Sequence, residues 1–166
     1  AELVLKMLQV LACSGLIRGE HLDMLWAVTE AEGTFDVVKS NVYAMIQELA
    51  GHLDKSLLEQ LFAKFEVLAR GKCLADSMRL LELLRKLATS DTARPDATNK
   101  TSLMAERLLD MIWQLTMPAD APPELLATDA MPDVLRQYGG HGHREYCDMY
   151  LQRCVEALRA RQSVFT

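Results

Sequence analysis

The chain has 166 residues, 50% of them hydrophobic and 25% charged, with a formal net charge of -5. This composition excludes intrinsic disorder and a collagen-like fibre. At this length one core buries roughly 70% of the surface that the unfolded chain exposes, without help from disulfides or a structural metal. No apolar run approaches the ~20 residues that cross a bilayer, and the N-terminus lacks a basic stretch followed by an apolar core and a small-residue cleavage site. The expectation is therefore a cytoplasmic chain, neither membrane-spanning nor secreted. Aromatics make up only 6%, and Leu, Ala, Met and Glu are abundant, which favours helices over strands.

Apolar residues recur at steps of three and four almost throughout. Leu3, Leu5, Met7, Leu8, Leu11 and Ala12 predict a first helix, ended by Gly15. The chain opens directly in this helix, the expectation for a fragment of a longer protein. A second helix is predicted over residues 19–31, with Leu22, Leu25, Trp26 and Val28 inward and Gly33 as its stop. Thr34 is placed to cap a third, whose Val38, Val42, Met45, Ile46 and Leu49 form one stripe before Gly51. Asp54 caps a fourth, with Leu53 and Leu58 spaced as a hydrophobic staple, and Leu57 to Leu68 carry it to Gly71. A fifth holds Leu80, Leu81, Leu83, Leu84 and Leu87. Residues 89–102 are polar, contain Pro95 and have no apolar period, so a mobile loop is expected. Their Asn99-Lys100-Thr101 sequon carries little weight without a secretory signal.

A sixth helix is predicted over residues 103–117. Four of the five prolines then fall in residues 118–133, a broken segment in which Pro123 and Pro132 suit the first turns of short helices. Gly139, Gly140 and Gly142 predict a flexible joint, and a last helix over residues 144–161 turns Tyr146, Cys147, Tyr150, Leu151, Cys154 and Leu158 to one side.

Two segments repeat. Leu22-Asp23-Met24-Leu25-Trp26 returns 87 residues later as Leu109-Asp110-Met111-Ile112-Trp113, two units of a little over 40 residues each. Ile46 to Ala50 resembles Leu84 to Ala88, 38 residues on. Helical repeats of the HEAT and armadillo type have periods of about 40 to 47, and each unit must stack on its neighbours to bury its stripe. The expected architecture is all-α: about eight helices in antiparallel pairs, stacked as an armadillo/HEAT-like right-handed superhelix over residues 1–166. A compact orthogonal bundle is the alternative. Trp26 and Trp113 are expected as packing anchors between helix layers.

Charge is unevenly placed. Glu20, Asp23, Glu30, Glu32 and Asp36 fall within residues 19–38, which hold no Lys or Arg before Lys39. The sign disfavours a phosphate backbone as partner. The stretch reads either as a solvated face or as a docking patch for a basic protein.

Phosphate-cradling loops, serine-hydrolase elbows and zincin motifs are absent from the sequence. The four cysteines, Cys13, Cys73, Cys147 and Cys154, include no CxxC pair and read as free buried thiols of a reducing compartment. Gly140-His141-Gly142-His143 precedes Cys147 by one helical turn and Cys154 by three. His143, Cys147 and Cys154 therefore suggest a soft, zinc-type site or a thiol enzyme. Against this, Cys147, Leu151, Cys154 and Leu158 also step by four, three and four, the pattern of a core stripe. No cofactor is expected.

Several segments in order carry a further resemblance: His21 to Trp26, Val38-Lys39-Ser40-Asn41-Val42-Tyr43, Leu58-Glu59-Gln60-Leu61-Phe62, Leu80 to Ala88, and Leu108 to Leu115. Together they resemble the helical, non-catalytic N-terminal region of the large ubiquitin-specific proteases of the fat facets type, over about residues 7–135. The resemblance implies an armadillo- or HEAT-like scaffold inside a parent enzyme that removes ubiquitin by a Cys, His and Asp or Asn thiol mechanism. It implies protein partners, namely substrates, adaptors or other domains of the parent chain, and no catalytic residue in this stretch. The surroundings of Cys13 and Cys73 lack the Asn and Gly-rich approach of the family's cysteine box. Gly142-His143 resembles its histidine box only in part, because Arg144 and Glu145 follow where the family has an aromatic residue.

Overall fold

A computed structural model describes residues 2–93 and 104–163. Within them the chain forms α1 (Glu2–Cys13), α2 (Gly19–Glu30), α3 (Asp36–Ala50), α4 (Lys55–Arg70), α5 (Leu74–Thr92), α6 (Ala105–Thr116), the single turn α7 (Pro123–Leu126), α8 (Ala130–Gly140) and α9 (Arg144–Ser163). All of the regular structure described is helical, as composition and periodicity predict.

Local chemistry sets the boundaries. Asp54 accepts the Leu57 amide at 2.9 Å and starts α4, meeting one of the unsatisfied donors of a first turn. Gly15 and Gly33 take positive φ where α1 and α2 end. Thr34 behaves differently from expectation. Phe35 occupies the N-cap of α3, while the Thr34 hydroxyl donates back to Val28 O and Ala31 O at 3.0 and 2.8 Å. It ties the turn to α2 and leaves the α3 amides alone.

Short turns fold successive helices back on one another, and the apolar stripes then decide the stacking. α1, α3, α5 and α8 lie side by side in one layer, while α2, α4 and α6 run in a second; α9 packs on α8 and reaches α6 through its side chains. The core lies between the layers. Leu80, Leu81, Leu83, Leu84 and Leu87 of α5 are buried there with Leu49, Leu61, Phe65, Leu108, Leu109 and Val134, each worth about 1.5–3 kcal/mol of transfer free energy. Trp26 is buried with its ring centroid 5.9 Å from Tyr43 and 5.7 Å from Phe65. Trp113 is half-buried, 5.9 Å from Tyr150, with the Arg153 guanidinium 4.5 Å over its ring.

The repeat period is written in the polar contacts as well. Asp23 of α2 pairs with Lys64 of α4, 41 residues on. Glu66 of α4 pairs with Arg107 of α6, also 41 on, and Asp110 of α6 with Arg153 of α9, 43 on. In the other layer Asp36 pairs with Arg79 at a separation of 43 and Arg85 with Asp133 at 48. The matched Asp23 and Asp110 thus do the same work two units apart: each holds a cation on the next helix of its layer.

Several expectations change. α5 continues through Thr89 and Thr92, because Ala88, Asp91 and Thr92 are buried beneath neighbouring helices; the rest of the expected loop, with the sequon, lies in residues 94–103, outside those described. Gly139 and Gly140 end α8, and only Gly142 takes a positive φ, +91°. Val28, Leu151 and Leu158 point outward, since α2 and α9 have neighbours on one side only. The cysteines are free but none is fully buried: Cys13 and Cys73 sit exposed at a helix end and an N-cap, Cys147 and Cys154 half-buried. On α1 only Ala12 is buried, while Leu3, Val4, Met7 and Val10 are exposed.

Candidate interaction surface

Glu20, Asp23 and Glu30 all project from α2, Glu32 from the turn that follows, and Asp36 from the first turn of α3; all five are exposed. They fall into two groups. Asp23 accepts from Lys64 and Asp36 from Arg79, whose Nη1 also lies 3.5 Å from Asp76. These two carboxylates fasten α2 to α4 and α3 to α5. Among the described residues Glu20 has only a loose 3.9 Å contact with Arg18. Glu30 Oε1 accepts the Trp26 indole N–H at 3.0 Å, which orients the buried ring and leaves the carboxylate's charge uncompensated. Glu32 has no ion pair among the described residues.

Apolar side chains interleave with these acids. Phe35 is 79% exposed, Met24 and Val37 are 70% exposed, and Val28 is exposed to a smaller degree. Sequence reasoning missed them because the helical stripe identifies inward residues only. It also missed the cations Lys64 and Arg79, which stand one repeat away and carry no local signal. The period of the repeat was the one clue available.

The His and Cys residues do not converge. His143 is buried, with Nδ1 3.7 Å from Glu145 Oε1 and its ring 6.3 Å from that of Tyr146. Cys147 Sγ donates to Leu135 O at 3.4 Å, and Cys154 lines a groove with Trp113 and Met117. His141 Nδ1–H donates to Gln137 O, 2.7 Å away on the exposed end of α8. Among the described residues no three His, Cys, Asp or Glu side chains stand close enough to share a metal. A separate pair, Cys13 Sγ and His52 Nδ1, lies 3.6 Å apart on the surface.

The tyrosines behave as structural groups. Burial, reinforced by the Asp76 carboxylate and opposed by Arg79, pushes Tyr43 up to about 12. Burial and a 2.8 Å hydrogen bond to Asp110 push Tyr150 well above its ordinary value, and burial raises Tyr146. None is poised for proton transfer at neutral pH.

The family described as UBP24/USP9X/USP9Y ARM repeat matches residues 1–166, the whole chain. The chain belongs to this armadillo family. Relatives include a probable ubiquitin carboxyl-terminal hydrolase FAF of Drosophila melanogaster, 27% identical over 143 residues. Ubiquitin carboxyl-terminal hydrolase 9X of Mus musculus is 26% identical over 142 residues, and 9Y of Homo sapiens is 27% identical over 107. These alignments cover 85%, 84% and 64% of the present chain but only 5%, 5% and 4% of the relatives. The chain thus spans about one-twentieth of the proteins that it matches. No solved structure matches. The UBP24/USP9X/USP9Y repeat family agrees with the two-layer stacking and with the polar contacts spaced one repeat apart. Among the described residues no helix is long and apolar enough to cross a membrane.

Proposed function

We propose that this stretch is a non-catalytic protein-interaction scaffold, one run of an armadillo array inside a cytoplasmic enzyme that removes ubiquitin from other proteins. The observation that carries the reading is the mixed surface running from α2 through the following turn to the start of α3, where Glu20, Glu30 and Glu32 are interspersed with exposed Met24, Phe35 and Val37. A solvated acidic face has no need of a largely exposed phenylalanine, whereas protein interfaces combine an apolar anchor with charged surroundings. The partner is a protein with a basic, partly apolar surface. Asp23 and Asp36 contribute less to it, since their charge is spent on Lys64 and Arg79.

The test uses the parent enzyme, intact and with Glu20→Gln, Glu30→Gln, Glu32→Gln and Phe35→Ala combined. Cleavage of a ubiquitin–fluorophore conjugate reports catalysis alone, and release of ubiquitin from protein substrates reports recruitment. The expected result is unchanged fluorophore release with slower processing of a subset of proteins. Equal loss of both activities, or no loss of either, refutes the proposal.

A further inference from the structure

Among the described residues one thiol meets a base. Cys13 ends α1 and is exposed, and its S–H donates to His52 Nδ1 at 3.6 Å, on the surface and 39 residues away. Both groups stand on fixed backbone. Around Cys13 the end of α1 closes through Ser14 N–H to Val10 O and Gly15 N–H to Ala12 O, each at 3.0 Å. His52 follows Gly51, the C-cap of α3. Its own N–H reaches Leu49 O at 2.8 Å, and two residues later Asp54 starts α4. The ring therefore stands beside the thiol with no loop left to close, in reach of the proton that a nucleophile must give up.

The other cysteines lack this combination. Cys73 is exposed at the N-cap of α5, but its side chain makes no bond to the amides of that helix, and no histidine stands against it among the described residues. Cys147 donates to Leu135 O, a carbonyl that accepts a hydrogen bond but does not take the proton. Cys154 is half-buried in the groove beside Trp113. The remaining histidines are engaged elsewhere: His21 Nδ1 accepts the Arg18 amide at 2.9 Å, His141 donates to Gln137 O, and His143 is buried.

We infer that Cys13 is a thiol-modification site with His52 as its base, and that its reactant is a low-molecular-weight disulfide. The surroundings select that class. A carbonyl reactant would need N–H donors for the oxyanion that forms on it, whereas the end of a helix presents carbonyl oxygens to Cys13. Disulfide exchange forms no oxyanion. The Cys13 proton passes to His52 Nδ1 and Sγ attacks one sulfur of the disulfide. The S–S bond breaks as the Cys13 mixed disulfide forms, and the departing thiolate takes the proton back from the imidazolium. Cys13 sulfur is oxidised to the disulfide level and the leaving sulfur is reduced to a thiol, so no further oxidant enters. The adduct ends the hydrogen bond to His52 and sits beside Ala12, the buried residue of α1. The site involves none of the acidic residues of α2, and the inference does not rest on the scaffold reading.

The 166-residue chain is exposed to oxidised glutathione at neutral pH, and the adduct on each cysteine is followed by peptide mass spectrometry. Cys13 is expected to react first, ahead of equally accessible Cys73. His52→Gln keeps a hydrogen-bond acceptor but no base. It is expected to slow Cys13 about tenfold and to leave Cys73 within about twofold, since an unassisted thiol is only slightly ionised at neutral pH. At pH ~9.5 such a thiol is largely ionised, so the cost of His52→Gln is expected to shrink to about twofold or less, whereas loss of a merely structural contact would persist. Far-UV circular dichroism verifies that the variant is folded. Cys73 reacting ahead of Cys13 in the unaltered chain overturns the inference. So does a Cys13 rate that His52→Gln leaves unchanged or raises at neutral pH, or a deficit undiminished at the higher pH.

Discussion

Trp26 and Trp113 occupy matched places in the repeat but different surroundings, and truncating each separates the contribution of position from that of burial. Trp26 is 4% exposed between Tyr43 and Phe65. Removing its ring exposes or voids about 200 Å² of apolar contact, which at ~25 cal/mol per Å² and with partial collapse of the cavity puts Trp26→Ala at about 3–5 kcal/mol. Trp113 is half-buried against Tyr150 and lies under Arg153. Roughly half the area, with about 0.5–1 kcal/mol for the cation–π contact, puts Trp113→Ala at about 2–3 kcal/mol. Urea unfolding followed by far-UV circular dichroism gives both values. Because these are the two tryptophans of the chain, each variant leaves a single reporter: emission of the Trp113→Ala protein comes from buried Trp26 and is expected to lie to the blue. Equal costs, or a water-like emission from Trp26, would refute the assignment of Trp26 as the interlayer anchor.

Asp110 accepts from both Tyr150 Oη and Arg153, each at 2.8 Å, so Asp110→Ala strands a buried hydroxyl and is expected to cost about 1–3 kcal/mol. Asp23→Ala removes one surface pair and is expected to cost less than about 1 kcal/mol; thermal melts that reverse this order would contradict the repeat geometry. Tyrosine titration gives a second check. In the unfolded chain phenols ionise near ~10, whereas Tyr43 is held up to about 12 and Tyr146 and Tyr150 are raised. Above pH ~10 the unfolded state binds fewer protons than the folded one, so stability is fully present below that pH and falls as pH rises through the folded values. Phenolate absorbance is then expected to appear together with loss of helical circular dichroism. Ionisation of all four tyrosines near pH 10 with the helices intact would contradict it.

Much of this fold can be read from residue spacing. The Leu80 to Leu87 run and the Asp54 cap act through neighbours three or four residues away, and such interactions are visible in a linear chain. Exposure at the margins is not. Val28, Leu151 and Leu158 continue apolar stripes correctly yet face outward, since a stripe states which side is apolar and only the stacking states whether anything covers it. Thr34 illustrates a different limit: a hydroxyl between two helices can serve either one, and the Gly33 turn delivers it to the first. The five acidic residues from α2 to the first turn of α3 were legible as a cluster, but which of them form ion pairs depends on Lys64 and Arg79, one repeat distant.

α5 touches α3, α4, α6 and α8, and its inward residues, from Ser77 to Thr92, occupy about half of its circumference. Solvent reaches its amides only after helices on several sides have separated, whereas α1, whose main contact is with α3, opens with far less disturbance. Hydrogen exchange should therefore grade along the array, fast at α1 and slowest at α5. Force applied across these helices would separate α1 from α3 well before α5 gives way, so this stretch carries its mechanical resistance around α5.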